Sequence, residues 1–448
     1  MGIITGTKIY STRGTAMSPC LLKKYRSFFI FAFTLITALF LNDTARIANA
    51  KEHSIEMTVA QNIQKKKEEI FNRYKEQKEK FIRSPQEMKE MLALVQKQIR
   101  EKNLHFVAEL NELMKYKIAE ITGAQVPHNI ENEAKVQSDL GDQLWKEFFR
   151  KYREQMKKRG RDDQEKRNEK YKKNTEEDKN KDEYAYRESE KKKVEEKREE
   201  KKDEIQTDIQ NAPSPDAVAF DWTGRNKVTE VKYQGICGSC WAFTSAAVVE
   251  ANYLIRKNTN LDLSEQYILD CSEAVQPVNR GGKLVYLKSK AGSCQGGWYG
   301  PVFDYLRTHS AALESKIPYK FKESTCLAPG TNQYKIVAWG YVKPDAGIPS
   351  VREMKEALCK YGPIAACVKV TPAFQAYKSG IFDEFAEVTA PRDINHAITI
   401  VGWDDKREAY LIKNSWGTQW GNKGYVWVKY GCNNIGFGAA WVAVSSIE

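Results

Sequence analysis

The apolar positions divide the 448-residue chain into four stretches of different character. Phe28 to Leu41 is an apolar run of 14 residues behind Lys23, Lys24 and Arg26, and it leads to Ala48-Asn49-Ala50. A basic flank, a short apolar core and a small-residue site predict a secretory signal over 1–50, cut after Ala50. A membrane anchor is the weaker reading, since a span wants about 20 apolar residues and Asn42-Asp43 interrupts first. Within 51–150, Met88, Met91, Leu92, Leu94 and Val95, then Phe106, Leu110, Leu113 and Met114, recur at helical spacing, which predicts a small helical domain. From Lys151 to Gln210, 21 Lys/Arg and 19 Asp/Glu fall in 60 residues. So charged a tract cannot bury a core, and 151–213 reads as a solvated helix or a disordered linker.

Residues 214–448 have a different texture. Trp241 to Ile255 is an alanine-rich apolar run without Gly or Pro that ends in Arg256 and Lys257. It predicts a buried helix with its positive dipole end at Cys240. Ile394 to Trp403 is a β-branched run typical of a buried strand, and it carries His396.

The net charge of +12 raises the question of a polyanionic partner, but its distribution argues against one. From Asn211 onward 26 basic residues face 22 acidic ones, a balance of only +4, and no basic stripe interleaved with aromatics occurs. No nucleic acid, metal or cofactor is expected from these patterns.

A thiol attacks an amide carbonyl only as thiolate, so it needs a helix N-terminus and an imidazole beside it. Of the five histidines, His53, His105 and His128 lie in the charged N-terminal half, and His309 falls where a helix should end. His396 remains as the partner for Cys240.

The run Gln234-Gly-Ile-Cys237-Gly-Ser-Cys240-Trp241-Ala-Phe243 resembles the active-site signature of the papain family of cysteine peptidases. Leu411-Ile-Lys-Asn414-Ser-Trp416-Gly-Thr-Gln-Trp420-Gly is similar to that family's Asn-Ser-Trp-Gly motif. The resemblance implies an α+β, papain-like fold of two lobes, one helical over about 214–330 and one a β-barrel over about 331–448, preceded by a mainly helical propeptide. It implies Cys240 as nucleophile and His396 as acid and base. Asn414 would orient the imidazole, with Trp416 shielding that bond and contributing to the substrate site, and Gln234 would join the Cys240 backbone N–H in an oxyanion hole.

Extended substrate should pair with the backbone at Gly296 and Gly297. Trp298, Tyr299, Cys367, Ile394, Asn395 and Ala440 should surround the main specificity pocket, which suggests an aliphatic or aromatic residue two places before the scissile bond. The family pattern pairs Cys237 with Cys294 and Cys271 with Cys326, and two disulfides imply an oxidising compartment. Cys20 would leave with the signal. Cys359 and Cys432 could form a bridge, and Cys367 reads as a small buried hydrophobe at the pocket floor. The 22 residues Ser272–Ser293 between Cys271 and Cys294 are an insertion, read equally as a cleft border or a plain surface loop.

These features together lead to an expected secreted, monomeric endopeptidase precursor that acts on peptides or proteins. Its own propeptide would inhibit it by lying backwards in the cleft, and Leu104-His-Phe-Val-Ala-Glu-Leu-Asn is the candidate strand. The rival roles are a coiled partner-binding segment for the N-terminal half, and a non-catalytic peptide binder or an acyl transferase for the whole. The processed protein should begin near Pro215, which mass spectrometry of its N-terminus checks.

Overall fold

The computed structural model describes residues 82–177, 213–280, 283–330, 333–390 and 392–444. The signal region, the charged tract beyond Glu177 and the start of the helical stretch lie outside the described residues.

Ser84 opens helix α1 (Pro85–Glu101) with a reciprocal cap. Its hydroxyl accepts from Glu87 N–H, and the Glu87 carboxylate accepts from Ser84 N–H. Met88 and Val95 are the buried positions of its inner face. Strand β1 (Phe106–Ala108) follows, then a 3-10 turn (Glu112–Lys115) and helix α2 (Ile118–Ile121).

Helix α3 (Ile130–Glu177) is a single helix of 48 residues that runs through the expected boundary at Lys151. Its inner face is Ile130, Ala134, Gln137, Gly141 and Trp145, all buried. Beyond Phe149 the sequence supplies no further apolar stripe. Exposed pairs such as Glu147–Lys151 and Arg150–Glu154, one turn apart, take over, so the charge change alters what the helix touches without ending it.

The next lobe is helical: α4 (Cys240–Lys257), α5 (Glu265–Cys271) and α6 (Tyr299–Thr308), the last followed by His309 at its C-terminal end as expected. It is closed by the disulfides Cys237–Cys294 and Cys271–Cys326. The insertion forms a hairpin of β3 (Glu273–Arg280) and β4 (Lys283–Lys290), which packs beside α6. Two short strands, β5 (Gly292–Ser293) and β6 (Gly296–Gly297), lead into α6.

The second lobe is a curled sheet. Its strands are β7 (Ala338–Tyr341), β8 (Ile364–Val368), β9 (Tyr377–Phe382), β10 (His396–Asp404), β11 (Ala409–Lys413), β12 (Tyr425–Lys429) and β13 (Phe437–Ala443). The order is β1-β9-β12-β11-β10-β8-β13-β7, with β2 (Ala219–Asp221) added to β10. The expected barrel is therefore not closed by hydrogen bonds, because β7 and β1 are left as its two ends. Helix α7 (Val351–Tyr361), opened by a Ser350–Glu353 capping box, and helix α8 (Pro372–Gln375) complete this lobe. Cys359 on α7 and Cys432 in a 3-10 turn (Cys432–Asn434) are both free thiols, so the bridge considered between them does not form.

Strand β1 corrects a further expectation. It does not enter the cleft but adds antiparallel to the edge of β9, with Phe106 opposite Gly380. Its alternation explains this: Phe106 and Ala108 are buried and Val107 is exposed, as an edge strand lying on a core requires. Among the described residues no helix is long and apolar enough to cross a membrane.

The inner face of α3 holds the N-terminal segment against the sheet. Trp145 packs edge-on to Tyr361, with centroids 5.6 Å apart, and to Trp441, and Arg256 lies over its ring at 4.7 Å. Gly141 is required here, since a Cβ would stand 2.1 Å from the Trp339 carbonyl oxygen. Trp145→Ala should therefore cost about 3 kcal/mol by urea unfolding of the full chain. It should also expose α3 to limited proteolysis.

Candidate active site

Cys240 is the first residue of α4, so its side chain sits where the helix leaves unpaired N–H groups and a partial positive charge. Across the lobe interface β10 begins at His396, paired with Val368 of β8, and the next residue, Ala397, donates its N–H to Cys240 Sγ at 3.4 Å. That bond fixes the sulfur against the strand that carries the imidazole.

The imidazole is held from the other side. His396 Nε2 lies 2.8 Å from Asn414 Oδ1, just beyond the end of β11, and the same oxygen accepts from Ser415 N–H at 2.8 Å. With that oxygen an acceptor, Nε2 carries a proton. The Trp416 ring covers the pair, with its centroid 4.8 Å from that of His396. His396 Nδ1 is buried and has no hydrogen-bond partner among the described residues.

Gln234 is fixed by both main chain and side chain. Its N–H donates to Ser415 O at 2.9 Å, and Ser415 Oγ donates to its Oε1 at 2.6 Å. The remaining amide group donates from Nε2 to Cys237 O at 2.9 Å and to Ile121 O at 3.2 Å.

Ile121 belongs to the N-terminal segment, and it begins the stretch that fills the cleft. Trp416 Nε1 also donates to its carbonyl, at 3.0 Å. Gly123 N–H and Ala124 N–H both donate to Asn395 O, Gly297 N–H donates to Gly123 O at 2.9 Å, and Gln125 N–H donates to Gly297 O at 2.9 Å. The chain thus passes from Trp416 and Gln234, over Cys240, to a parallel bridge of Ala124 with Gly297. Gly123 allows this approach, because a Cβ there would lie 1.9 Å from Gly238 O.

Sequence reasoning placed the cleft strand about 15 residues too early. Thr122-Gly123-Ala124 is too short and too polar to register as an apolar strand, and its small size is what suits it to the site. Sequence reasoning also missed Ser415, and it missed Tyr319, which donates from Oη to Gln234 O at 3.0 Å.

A third omission is the buried charge cluster behind the site. Lys232 Nζ donates to Glu250, Glu265 and Leu263 O, and pairs with Asp262 at 2.7 Å. Lys413 reaches the same group through Thr229, which donates to Glu250 at 2.6 Å. Burial works against the Lys232 charge, but its three carboxylate neighbours outweigh it and hold its pKa above the usual lysine range. These lysines lie two residues before Gln234 and one before Asn414, so the cluster anchors the loop that presents Gln234 and the end of β11 that presents Asn414. Lys413 at the end of the otherwise apolar strand β11 was the available signal.

Of the remaining expected residues, Gly296, Gly297, Trp298, Tyr299, Cys367, Ile394 and Ala440 are buried along the same lobe interface. Cys367 lies opposite Ala397 on β8.

Burial dominates the electrostatics. It pushes the Cys240 thiol up to about 12, although N–H donors from Ala397 and Gly123 oppose it, and it pushes His396 down to about 4. Burial thus favours the neutral form of both groups in this closed arrangement.

The profile of the papain family cysteine proteases matches residues 216–444. The chain belongs to that family. It is 32% identical over 229 residues to pro-cathepsin H of Mus musculus, covering 50% of this chain and 64% of that protein. It is 34% identical over 224 residues to gamete and mating-type specific protein A of Dictyostelium discoideum, covering 49% of this chain and 44% of that one. The chain thus spans less than two thirds of the length of these relatives. Digestive procathepsin L 3 from Tenebrio molitor larval midgut superposes with a TM-score of 0.51 at 20% identity, over 84% of this chain and 99% of that one. At that identity the likeness concerns the fold alone, and it includes the segment before the two lobes.

The pH dependence of closure follows from the depressed His396. A group that resists protonation when buried favours the open form as pH falls from its ordinary value near 6.5 toward about 4. At pH 5 closure should be weaker by about 2 kcal/mol than at pH 7. The urea midpoint for release of the segment, followed by tryptophan fluorescence, should drop accordingly, and His396→Gln should remove most of that pH dependence.

Proposed function

We propose that this chain is the precursor of a secreted cysteine endopeptidase, kept inactive by its own residues before the two lobes. One observation carries the reading: Ile121–Gln125 occupies the groove over Cys240 and takes up the Gln234 amide donor with a main-chain carbonyl. A peptide backbone in that position is what a peptide substrate must become. The parallel bridge to Gly297 fits a strand laid in reverse.

Once the segment leaves, water enters and the burial that holds both groups neutral is relieved. The helix dipole and His396 then favour the thiolate–imidazolium pair. The sulfur adds to the substrate carbonyl carbon, and the resulting oxyanion is received by Cys240 N–H and the freed Gln234 amide. His396 gives its proton to the departing amine, which leaves a thioester. It then takes a proton from water as that water attacks, and the acid departs with the thiol restored. Asn414 holds the ring in one tautomer throughout.

Family membership and the precursor-like fold support this activity. The signal-like run before Ala50 and the two disulfides support an extracytoplasmic site of action. A fluorogenic dipeptide amide assayed on precursor and trimmed protein should show cleavage only after trimming, and none with Cys240→Ala. An added amine acceptor should not divert the acyl group. Retained peptide binding without turnover would favour the binder, and amide products would favour the transferase. Gln234→Ala should lower kcat by about 10²–10³-fold, a barrier increase of about 3 kcal/mol, with little change in Cys240 alkylation.

A further inference from the structure

The pocket expected to take a large side chain is already occupied by the chain itself. Tyr299 follows Gly297-Trp298 at the start of α6, in the first lobe, and is fully buried. Its Oη crosses the lobe interface, donating to Gly438 O on β13 at 2.5 Å and lying 3.7 Å from Cys367 Sγ on β8. The residue that should form one wall of the pocket therefore touches the residue that should form its floor.

The bar is fixed at both ends. The Trp298 ring stacks on the Tyr299 ring, 4.5 Å between centroids, and is itself held by Nε1 donating to Tyr341 Oη at 2.8 Å. Gly438 has φ +67°, and a Cβ on it would stand 2.7 Å from Tyr299 Oη and 2.8 Å from the Trp298 ring. Little space remains around the hydroxyl. Burial holds the phenol protonated, well above the usual tyrosine range, so it stays a donor to Gly438 O.

The chain's own occupant of the groove is an independent guide to size. The residue bridged to Gly297 is Ala124, which belongs to the apolar cluster that also holds Tyr299, Cys367, Ile394, Ala397 and Ala440. A single methyl group therefore suffices where a substrate side chain would sit beside Gly297.

We infer that Tyr299 is a specificity-determining residue that restricts the position two places before the scissile bond to Gly, Ala or Ser. This replaces the aliphatic or aromatic preference read from the lining residues alone, and it rests on the peptidase reading for the bond that is cut. A leucine or phenylalanine there must displace the hydroxyl from Gly438 O and Cys367.

The test uses the full chain at an acidic pH at which iodoacetamide modifies Cys240. Peptidyl acyloxymethyl ketones differing only in Ala, Leu or Phe at that position are allowed to label Cys240, and rates are read by intact mass. Ala should label at least ten-fold faster than Leu or Phe, and Tyr299→Ala should bring Leu and Phe level with Ala or ahead of it. Tyr299→Ala also removes a core ring, so Tyr299→Leu and Cys367→Ala form a second arm, each expected to narrow the gap. Equal or faster labelling by Leu or Phe in the unaltered chain overturns the proposal, as does an unchanged ranking in the variants. Labelling in the expected order without hydrolysis of the matching amides would instead sink the peptidase reading and leave the pocket assignment standing.

Discussion

The rest of the molecule depends on the burial of one thiol and one imidazole beneath a three-residue strand. Thr122-Gly123-Ala124 contributes almost no side chain to the site. It binds through backbone groups, two N–H donors to Asn395 O and an exchange with Gly297, and it excludes water. Exclusion of water decides the chemistry, because neither a thiolate nor an imidazolium is favoured in so apolar a setting. The Gln234 amide and the Trp416 indole both donate to Ile121 O.

A strand so small cannot hold itself in place. Its attachment comes from either side, through β1 added to the edge of β9 and through the face of α3 laid on the sheet. At one end, His105 supports the added strand, with its N–H donating to Asp383 at 2.9 Å and Nδ1 lying 2.6 Å from the same carboxylate. At the other end Trp145 supplies the apolar area, while Gly141 and Ala134 let the helix approach. The cleft segment is the low-area middle of a strap anchored at both ends.

The lobe interface serves two purposes at once. It brings Cys240 from a helix and His396 from a strand into one site, and it is crossed by Tyr299, which ties the lobes and narrows the groove. A buried lysine and its carboxylates stiffen the loop that carries Gln234 and the strand end that carries Asn414, at positions where a shift of an ångström would separate the imidazole from its orienting oxygen.

Much of the site was legible in the sequence because its parts are local. Cys240 begins an apolar helix and His396 begins a β-branched strand, patterns set by neighbouring residues, while Asn414 was placed by motif resemblance. The two disulfides and the two-lobed class followed from motif resemblance. What only the tertiary structure decided were the non-local matters. Phe106 pairs an edge strand while Gly123 enters the cleft, because the edge of β9 accepts an alternating strand and Gly238 O leaves no space for a Cβ. Helix α3 continues through Lys151 because its exposed charges pair along one face. The pocket is small because a tyrosine from one lobe meets a carbonyl from the other. Periodicity fixes which elements form, since it reports on adjacent turns and pleats. Which element fills a groove depends on shape and free hydrogen-bonding groups brought together from distant parts of the chain, and no local pattern encodes them.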